Sequence, residues 1–512
     1  MGEGGALGLR LRVAPVGPLV KVAVVGAGVV GASIARVLTM YEGFEVVLVE
    51  KEPDVGWGVS KANTSVIHPG HEEDPRQHPL RAKLCVEGNR LWRRWVRELD
   101  IPARWPGELM VFTSPEEERE ARKYVELAKL NGVPGVRLVY GRELLALEPN
   151  VNPQALGAVY APTAGTVSPF EAVTAIVENA VENGARLLVE TEVLRVRVEG
   201  GEVKGLETTR GFVEADIVVN AAGLWADEVS RSAGVEPEFR IRPRRGEYLL
   251  FDEDVRGKPA RILHTVPTPV TKGVYALTTV HGNLLLGPTA EDLPPEAKDE
   301  TGTTREGLGR VLSEAAKLLR EVPPPSKVIR TFAGLRPEPP GGEWLVKAYE
   351  DPRGFVNVAG IRSPGLTAAP ALAHHVAGLI SEAYGIELKR REGWNPRRVG
   401  IARLAGKSLR EIDEMARANP DYGEIVCYCK MVSKAEVLEA IERIRRIGAR
   451  PTIDGVKFRV QAGFGRCQGS FCRWRVALLI AQSTGQPLHA VLAGKGVYVV
   501  GDVKLLLKGE AA

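Results

Sequence analysis

Three glycines near the start of the chain, Gly26, Gly28 and Gly31, stand in G-x-G-x-x-G register between an apolar run and a helical pattern. The run LVKVAVV predicts a buried strand, GASIARVL predicts a helix, and FEVVLVE predicts a second strand that ends at Glu50. In such a unit the first glycine permits a tight turn, the second lets the backbone approach a pyrophosphate, and the third lets helix and strand pack. Because an acidic residue at the end of the second strand can bind ribose hydroxyls, the unit predicts a dinucleotide-binding α/β fold.

The size and charge of the chain limit what it can be. Its 512 residues are enough for two to four domains, and 44% of them are hydrophobic. Its 68 Lys and Arg residues nearly balance its 64 Asp and Glu residues, so we expect no nucleic-acid binding. No run approaches the roughly 18 continuous apolar residues of a membrane span. Residues 1–20 lack the features of a signal peptide and are interpreted as an N-terminal extension.

Four of the five cysteines are clustered near the C-terminus, as Cys427-Tyr-Cys429 and Cys467-Gln-Gly-Ser-Phe-Cys472. Two thiolates one residue apart face one centre from a tight turn, and a second close pair can complete a four-thiolate cage. An iron-sulfur cluster and zinc are both compatible with such a cage, and free thiols are a further alternative. Cys85 stands alone in a helical pattern and is interpreted as a core residue. The scarcity of other cysteines is typical of a reducing cytoplasm.

Further blocks narrow the kind of dinucleotide protein. They are VGWGVSKANTSVIHPG at 55–70, NAAGLWADEVS at 220–230, PRRGEYLLFD at 243–252, HGNLLLGPTAED at 281–292 and AGIRSPGLTAAPALA at 359–373. With these blocks, about residues 21–390 resemble the FAD-dependent glycerol-3-phosphate dehydrogenases of the anaerobic type, in the D-amino-acid-oxidase-like flavoprotein superfamily. The C-terminal cysteines resemble the bacterioferritin-associated-ferredoxin-like (BFD-like) domain that this group carries, and their C-x4-C spacing matches its flavoprotein-fused members.

The resemblance implies an α/β architecture. It consists of a two-domain FAD-binding fold of the glutathione-reductase-like Rossmann type, an antiparallel substrate-domain sheet, and a small helical C-terminal cysteine domain. We expect FAD-binding parts at residues 21–100, 150–235 and 330–390, and a substrate part at about 236–330. A linker over 391–423 would lead to a BFD-like [2Fe-2S]-binding domain over 424–485, and a C-terminal tail over 486–512 would follow.

The resemblance also implies two cofactors and their ligands. It assigns a [2Fe-2S] cluster to Cys427, Cys429, Cys467 and Cys472. Pairing with a flavin favours this cluster over zinc, because a one-electron centre lets the two electrons of a reduced flavin leave singly. The residues expected to bind FAD are Gly26, Ala27, Gly28, Val30, Gly31, Glu50, Lys51, Ser60, Asn63, Thr64, Val193, Ala222, Gly223, Gly360, Gly365, Leu366 and Thr367.

Three residues are predicted to carry the chemistry. Oxidation of a secondary alcohol or amine by a flavin needs a group that takes a proton and cations that hold an anionic substrate. His68 is the predicted proton acceptor, because its loop is expected to pass the flavin; a flavin-packing histidine is the alternative. Arg336 and Arg362 are the predicted anion-binding residues, because guanidinium groups bind phosphate or carboxylate bidentately; structural ion pairs are the alternative. Weaker candidates are His71, His281, Arg244, Arg245 and Lys272.

The predicted activity is oxidation of sn-glycerol 3-phosphate to dihydroxyacetone phosphate, with hydride passing to flavin N5 and electrons leaving through the cluster. Alternative substrates are L-2-hydroxyglutarate or another 2-hydroxy acid, and proline or sarcosine. An electron-transfer subunit of a larger complex is an alternative role. We expect an electron-accepting partner subunit or a quinone, and a cytoplasmic protein able to associate peripherally with the inner face of the membrane.

Overall fold

A computed structural model describes residues 19–268 and 273–496. Lys272, most of the predicted N-terminal extension and the end of the predicted tail lie outside these residues. The strands are β1 (Val20–Val25), β2 (Phe44–Val49), β3 (Val66–Ile67), β4 (Ala103–Arg104), β5 (Glu108–Phe112), β6 (Arg137–Tyr140), β7 (Gly157–Ala161), β8 (Gly165–Val167), β9 (Arg186–Leu188), β10 (Val193–Glu199), β11 (Glu202–Thr208), β12 (Gly211–Glu214), β13 (Ile217–Asn220), β14 (Arg242–Phe251), β15 (Ile262–Thr265), β16 (Tyr275–Thr278), β17 (Leu284–Gly287), β18 (Glu291–Asp292), β19 (Val328–Glu338), β20 (Leu345–Glu350), β21 (Arg353–Ala359), β22 (Ile425–Cys427) and β23 (Val432–Ser433). The helices are α1 (Val29–Leu38), α2 (Pro79–Glu98), α3 (Pro115–Leu130), α4 (Gly141–Leu147), α5 (Pro169–Glu182), α6 (Ala226–Ser232), α7 (Arg305–Leu318), α8 (Gly365–Tyr384), α9 (Leu409–Ala418), α10 (Lys434–Arg446), α11 (Ile453–Val460) and α12 (Arg473–Thr484).

The first sheet is built on five parallel strands in the order β21-β13-β1-β2-β9. Its central strands consist mainly of buried valine, isoleucine and alanine, as expected for strands covered on both faces. Helices α1, α5 and α8 pack on one face, and α6 with the β10-β11-β12 meander packs on the other. The carboxyl ends of β1 and β13 lie side by side, which is where such sheets bind nucleotides.

The second sheet has the order β18-β14-β17-β16-β15-β5-β7-β6, with β19 beside β14. Its pairs are antiparallel except β15 with β5, and α7 packs beneath it. The sheet differs from the predicted substrate part because β5, β6 and β7 come from residues 108–161, well before residue 236. Strand patterns in separate segments do not reveal which sheet each strand joins, since that depends on contacts distant in sequence.

The C-terminal cysteine domain consists of the β22-β23 hairpin and helices α10, α11 and α12. Ser433 caps α10 through a reciprocal pair of hydrogen bonds with Glu436, which fixes where the hairpin ends and the helix begins. The apolar faces of the three helices join the same buried core as α1 and α5. The domain is therefore packed on the FAD-binding part rather than tethered to it.

The segment between the two parts also packs on the body in places. Asn179 in α5 donates a hydrogen bond to the carbonyl of Asn395, and Arg398 pairs with Glu178 at 2.8 Å. Helix α9, in contrast, has no buried residue. None of the described helices is long and apolar enough to cross a bilayer.

Candidate active site and cysteine centre

A cavity of about 1050 Å³ begins at the glycine turn after β1 and runs between the two sheets. At this end Gly26 has φ +96°, and a Cβ there would lie 2.6 Å from the Ala221 carbonyl oxygen. A Cβ at Gly31 would lie 2.0 Å from the Gly26 carbonyl oxygen, so α1 could not pack as closely. The start of α1 therefore opens directly on the cavity, with its amide groups and dipole favouring an anion.

Glu50 lines the same end of the cavity. Its two carboxylate oxygens accept hydrogen bonds from the backbone amides of Ala27 at 2.8 Å and Glu52 at 3.0 Å. Burial raises the pKa of Glu50 above its ordinary value, although the two amide donors oppose this shift. Beside it, the Lys51 ammonium lies 3.3 Å from the ring centroid of Trp225. The carboxylate is thus held rigidly at the place where the motif predicts a ribose contact.

The loop after β2 forms the middle of the cavity wall. The Ser60 hydroxyl accepts a hydrogen bond from the Val29 amide at 3.0 Å, which ties the loop to the first turn of α1. The Asn63 side chain donates to the Ser60 carbonyl and accepts from the Ser65 amide, so it shapes its own turn. A Cβ at Gly334 would lie 2.0 Å from the Ala62 carbonyl oxygen, so β19 passes tightly against this loop.

The structure brings most of the predicted FAD-binding residues to this one cavity. Four of them, Ala27, Gly31, Gly360 and Thr367, lie outside its wall. Thr367 supports the wall instead, because its hydroxyl accepts the His68 amide at 2.9 Å and so joins α8 to β3. The predicted residues on the wall are Gly26, Gly28, Val30, Glu50, Lys51, Ser60, Asn63, Thr64, Val193, Ala222, Gly223, Gly365 and Leu366.

The three predicted catalytic residues line the other part of the cavity. Arg336 donates to the Thr289 carbonyl at 3.1 Å, and its guanidinium crosses β14 where Gly246 leaves room for it. Arg362 pairs with Glu338 at 2.9 Å, and burial lowers the pKa of Arg362. Of these two arginines, only Arg336 has no carboxylate partner among the described residues.

His68 stands on the cavity wall in front of a buried polar cluster. Its Nδ1 lies 3.8 Å from a carboxylate oxygen of Glu72, and the Tyr275 hydroxyl donates to the other oxygen at 3.2 Å. Behind them the Nδ1 of His71 lies 3.5 Å from Glu108, and both side chains are fully buried. Burial and the nearby Glu72 carboxylate raise the pKa of Tyr275 well above its ordinary value.

The weaker candidates among the described residues are each paired with a carboxylate, and two of them, His281 and Arg244, also line the cavity. His281 lines the cavity and contacts Glu171 at 3.1 Å, whereas His71 lies behind His68 and away from the wall. Arg244 and Arg245 are paired with Asp292 and Glu291, across from them in the second sheet.

The cysteine domain contributes to the cavity wall, which the sequence did not indicate. Lys457, Phe458 and Phe464 line the cavity, and burial lowers the pKa of Lys457 to about 8. The ring of Phe458 stacks on Phe170 with centroids 4.9 Å apart, and Phe464 lies 5.1 Å from Phe170. The next residue, Gly465, packs so closely on Cys429 that a Cβ would lie 2.2 Å from the Cys429 Cβ. An aromatic group thus fills the space between the cavity and the cysteine loops.

The four clustered cysteines form two pairs at one centre. Cys427 and Cys472 are buried, whereas Cys429 and Cys467 are half-buried with their sulfurs 3.7 Å apart. The Cys472 thiol and the backbone amides of the loops lower the pKa of Cys427 to about 6, and the pKa of Cys472 is raised by the same contact. Convergent thiols surrounded by amide donors are the environment that a cysteine-ligated iron-sulfur cluster needs.

Comparison with known proteins agrees with this geometry. A family model described as FAD dependent oxidoreductase matches residues 21–379, and a BFD-like [2Fe-2S] binding domain matches residues 425–482. The chain belongs to the FAD dependent oxidoreductase family. The predicted resemblance, the fold class and both predicted cofactors, FAD and a [2Fe-2S] cluster, are therefore confirmed. The individual contact residues stay predictions.

Similar proteins extend over almost the whole chain. A glycerol 3-phosphate dehydrogenase of Caloramator mitchellensis is 37% identical over 464 residues, covering 91% of this chain and 94% of its own. One subunit of the anaerobic glycerol-3-phosphate dehydrogenase of Escherichia coli K12 is 25% identical and covers 90% of this chain and 87% of its own. Among solved structures, the FAD-bound L-alpha-glycerophosphate oxidase of Mycoplasma pneumoniae matches with a TM-score of 0.68 at 25% identity, covering 75% of this chain and 99% of its own.

Proposed function

We propose that this chain oxidises sn-glycerol 3-phosphate to dihydroxyacetone phosphate with FAD and passes the electrons out through its [2Fe-2S] centre. The observation that carries this proposal is the single cavity that joins the glycine cradle to His68, Arg336 and Arg362. Relatives named as glycerol 3-phosphate dehydrogenases support the choice of substrate. When bound, FAD supplies the hydride acceptor and the cluster supplies one-electron transfer.

The arginines hold the phosphate in this proposal. Arg336 presents a guanidinium without a carboxylate partner among the described residues, and it is therefore the main anion ligand. The charge of Arg362 is largely neutralised by Glu338, so Arg362 orients the phosphate through hydrogen bonds more than it adds net positive charge. Binding the phosphate at this end would place the substrate's secondary hydroxyl toward His68, which lines the same cavity.

His68 accepts the hydroxyl proton as the carbon-bound hydrogen leaves as hydride. The Glu72 carboxylate, 3.8 Å from Nδ1, would stabilise the imidazolium, and the Tyr275 hydroxyl holds Glu72 in place. The backbone amide of His68 is held by Thr367, so the side chain can be changed without loss of this anchor. The Glu50 carboxylate and the α1 turn hold the dinucleotide at the far end.

A carboxylate substrate is the second candidate. Glu338 contacts both Arg362 and Arg244, which leaves Arg336 alone to match a single negative charge. An L-2-hydroxyglutarate dehydrogenase of Arabidopsis thaliana is 26% identical over 407 residues, and the L-proline dehydrogenase structure of P. horikoshii matches with a TM-score of 0.63. A phosphate dianion needs more than one cation. Whether Arg362 also binds the substrate anion therefore decides between a phosphate and a carboxylate substrate.

The discriminating experiment is anaerobic bleaching of the flavin. We expect rapid loss of flavin absorbance with glycerol 3-phosphate and little with L-2-hydroxyglutarate, proline or sarcosine. Bleaching by one of these others alone would overturn the proposed substrate, and bleaching by none would favour a purely electron-transferring role. Visible spectra and iron analysis of the same sample would quantify both cofactors.

A second experiment tests His68. We expect His68→Gln to slow bleaching by about 100-fold or more while FAD stays bound, because a positioned base contributes at least that much. His281→Gln is the matched control, since it changes another cavity histidine that is paired with Glu171. Equal rates for both variants would contradict the role of His68.

The electron acceptor is proposed to be a second protein chain. The Escherichia coli relative is named as one subunit of its dehydrogenase, which implies further subunits in that protein. We propose that this chain likewise hands its electrons to a partner subunit. Peripheral association with a membrane stays a prediction.

A further inference from the structure

An exposed aromatic surface lies beside the cysteine centre. Tyr428, Phe471 and Trp474 are 58%, 49% and 48% exposed, and what distinguishes them from single exposed apolar residues is that they lie together. Tyr428 stands between Cys427 and Cys429, and Phe471 immediately precedes Cys472. These rings are therefore part of the loops that carry the thiols. We call Tyr428, Phe471, Trp474 and the Arg475 between them the aromatic face.

The aromatic face is continuous. The rings of Tyr428 and Phe471 meet edge to face with centroids 5.5 Å apart. The Arg475 guanidinium lies 5.8, 5.0 and 5.6 Å from the rings of Tyr428, Phe471 and Trp474. Arg475 also donates to the Ile425 carbonyl at 2.9 Å, so it holds the group together from within. Leu478, one helical turn beyond Trp474, extends the apolar area.

The same loops are covered on another side by the body of the protein. Lys430 pairs with Glu253 at 2.6 Å, and Arg466 pairs with Asp252 at 3.1 Å and Asp254 at 3.2 Å. These three carboxylates belong to the second-sheet part of the chain. The cysteine loops thus have one side docked on their own protein and another that presents rings to solvent.

The two chain segments that carry the aromatic face and the cysteines bear only positive charges. Residues 425–435 and 455–496 contain the aromatic face and all four cysteines, and neither segment contains an Asp or Glu. Arg473 and Arg475 flank Trp474 directly. An apolar centre among cations matches a contact surface that is apolar at its centre and bears carboxylates at its rim.

We propose that the aromatic face is the docking surface for an electron-accepting protein whose contact surface is apolar and rimmed by carboxylates. The proposal rests on the proposed exit of electrons through the cysteine centre. A partner seated there would lie against Cys429 and Cys467, the two half-buried cysteines. In the step itself one electron leaves the reduced centre, and the acceptor gains that electron without a proton.

The test uses one acceptor in two charge forms. The probes are cytochrome c, which is basic, and the same cytochrome with its lysines succinylated, which is acidic. The holoprotein is reduced by light with a catalytic amount of a deazaflavin and with EDTA as the sacrificial electron donor. It is then mixed anaerobically in the dark with either probe, and reduction of the haem iron from Fe(III) to Fe(II) is followed. Because light replaces the substrate, failure with glycerol 3-phosphate cannot be confused with failure of docking.

Two variants place a carboxylate in the aromatic face, Trp474→Glu and Phe471→Glu. The matched control is Phe212→Glu in β12. Phe212 and Phe471 are each 49% exposed, and each lies beside an arginine, Arg197 at 5.5 Å and Arg475 at 5.0 Å. The visible spectrum of each variant checks that flavin and cluster are intact.

We expect the wild-type protein to reduce the acidic cytochrome faster than the basic one, with a preference that falls as salt is added. Trp474→Glu and Phe471→Glu should slow the acidic probe by about tenfold, while Phe212→Glu keeps the wild-type rate. Equal rates for all four proteins would overturn the proposal, as would faster reduction of the basic probe by wild type.

Vesicles of phosphatidylglycerol and phosphatidylcholine test the other class of occupant, since rings among cations also suit an anionic membrane. We expect no difference in vesicle binding between Trp474→Glu and Phe212→Glu. Vesicle binding that is lost in Trp474→Glu, together with unchanged cytochrome rates, would assign the face to lipid and overturn the docking of a protein.

Discussion

The FAD cavity and the cysteine centre pack on one hydrophobic core but differ in burial and in the charge of their surroundings. The cavity lies between the two sheets and is walled in part by the cysteine domain, and one of its two predicted anion-binding arginines, Arg362, is paired with Glu338. The cysteine centre keeps two of its four thiols half-buried under exposed rings, with no acidic residue in the loops that carry it. A site within the core suits chemistry that must limit access of water, whereas half-buried thiols near the surface suit electrons that must leave. The following predictions test this contrast.

The largest expected effect comes from Cys427→Ser. Loss of one buried thiolate should remove the cluster absorbance, because the three remaining thiolates rarely suffice to hold such a cluster. Electron delivery to protein acceptors should fall by about 100-fold or more. Bleaching of the flavin by substrate should persist, since the cavity is unchanged. Cys85→Ala, a buried cysteine in α2, is the control and should retain the cluster. Retention of the cluster in Cys427→Ser would contradict the assignment of Cys427 as a ligand of this centre.

The next largest effect is expected at the glycine turn. In Gly31→Ala the new methyl group would lie 2.0 Å from the Gly26 carbonyl oxygen, so α1 must move away from β1. We expect FAD affinity to fall by about 100-fold, or roughly 2.7 kcal/mol, as measured by titration of the apoprotein. In Gly378→Ala, where the added carbon meets nothing within 4 Å, we expect unchanged FAD binding and slightly higher stability.

A smaller effect is expected from Arg336→Gln. Without the guanidinium, KM for glycerol 3-phosphate should rise by about 10- to 100-fold, the usual cost of a lost charge-assisted hydrogen bond. Arg336→Lys should restore part of this loss because it returns the charge but not the planar fork. The control is Arg305→Gln, at the exposed start of α7. An unchanged KM in Arg336→Gln would mean that the anion is held elsewhere.

The smallest expected effect concerns stability at mild acid. Burial lowers the pKa of His374 in α8 to about 4 from 6.5, and nearby arginines add to the shift. The unfolded chain therefore binds a proton below about pH 6.5 that the folded protein refuses until about pH 4, so stability falls as pH drops through this window. With partial exposure considered, we expect this loss to be about 1 kcal/mol at pH 5.

Urea unfolding of His374→Gln at pH 7 and pH 5 measures this difference. The variant should lose less apparent stability between the two pH values than wild type, whereas His489→Gln, at an exposed site, should lose as much as wild type. Equal losses in His374→Gln and wild type would show that another group controls the acid sensitivity of this core.

Local features of this protein could be predicted from sequence, and features that depend on distant contacts could not. Gly26, Gly28, Gly31 and Glu50 lie within one strand-turn-helix-strand unit, so spacing alone placed them at one site. The two cysteine pairs are likewise close in sequence, so their spacing alone predicted one metal or cluster site. Arg336 and His68, which are 268 positions apart in a chain of 512, were brought together only by resemblance.

Two parts of the site could not be predicted in this way. The contribution of Lys457 and Phe458 to the cavity depends on how the cysteine domain docks, and no local pattern encodes that orientation. The contacts of Glu72 and Tyr275 behind His68 join the loop after β3 to β16 of the second sheet. Tyr275 lies within the substrate part predicted at about 236–330, but nothing in the sequence indicated its partner.

The ion pair between Arg459 of α11 and Asp54 of the first FAD-binding part has a consequence for the history of such proteins. Both side chains are 1% exposed and their closest atoms are 2.6 Å apart. Replacing Arg459 alone by an apolar residue would leave Asp54 as a buried carboxylate without its cation, at a cost of about 3–5 kcal/mol. In the evolution of such a chain we therefore expect positions 54 and 459 to change together, so the sequences of the two parts are not independent.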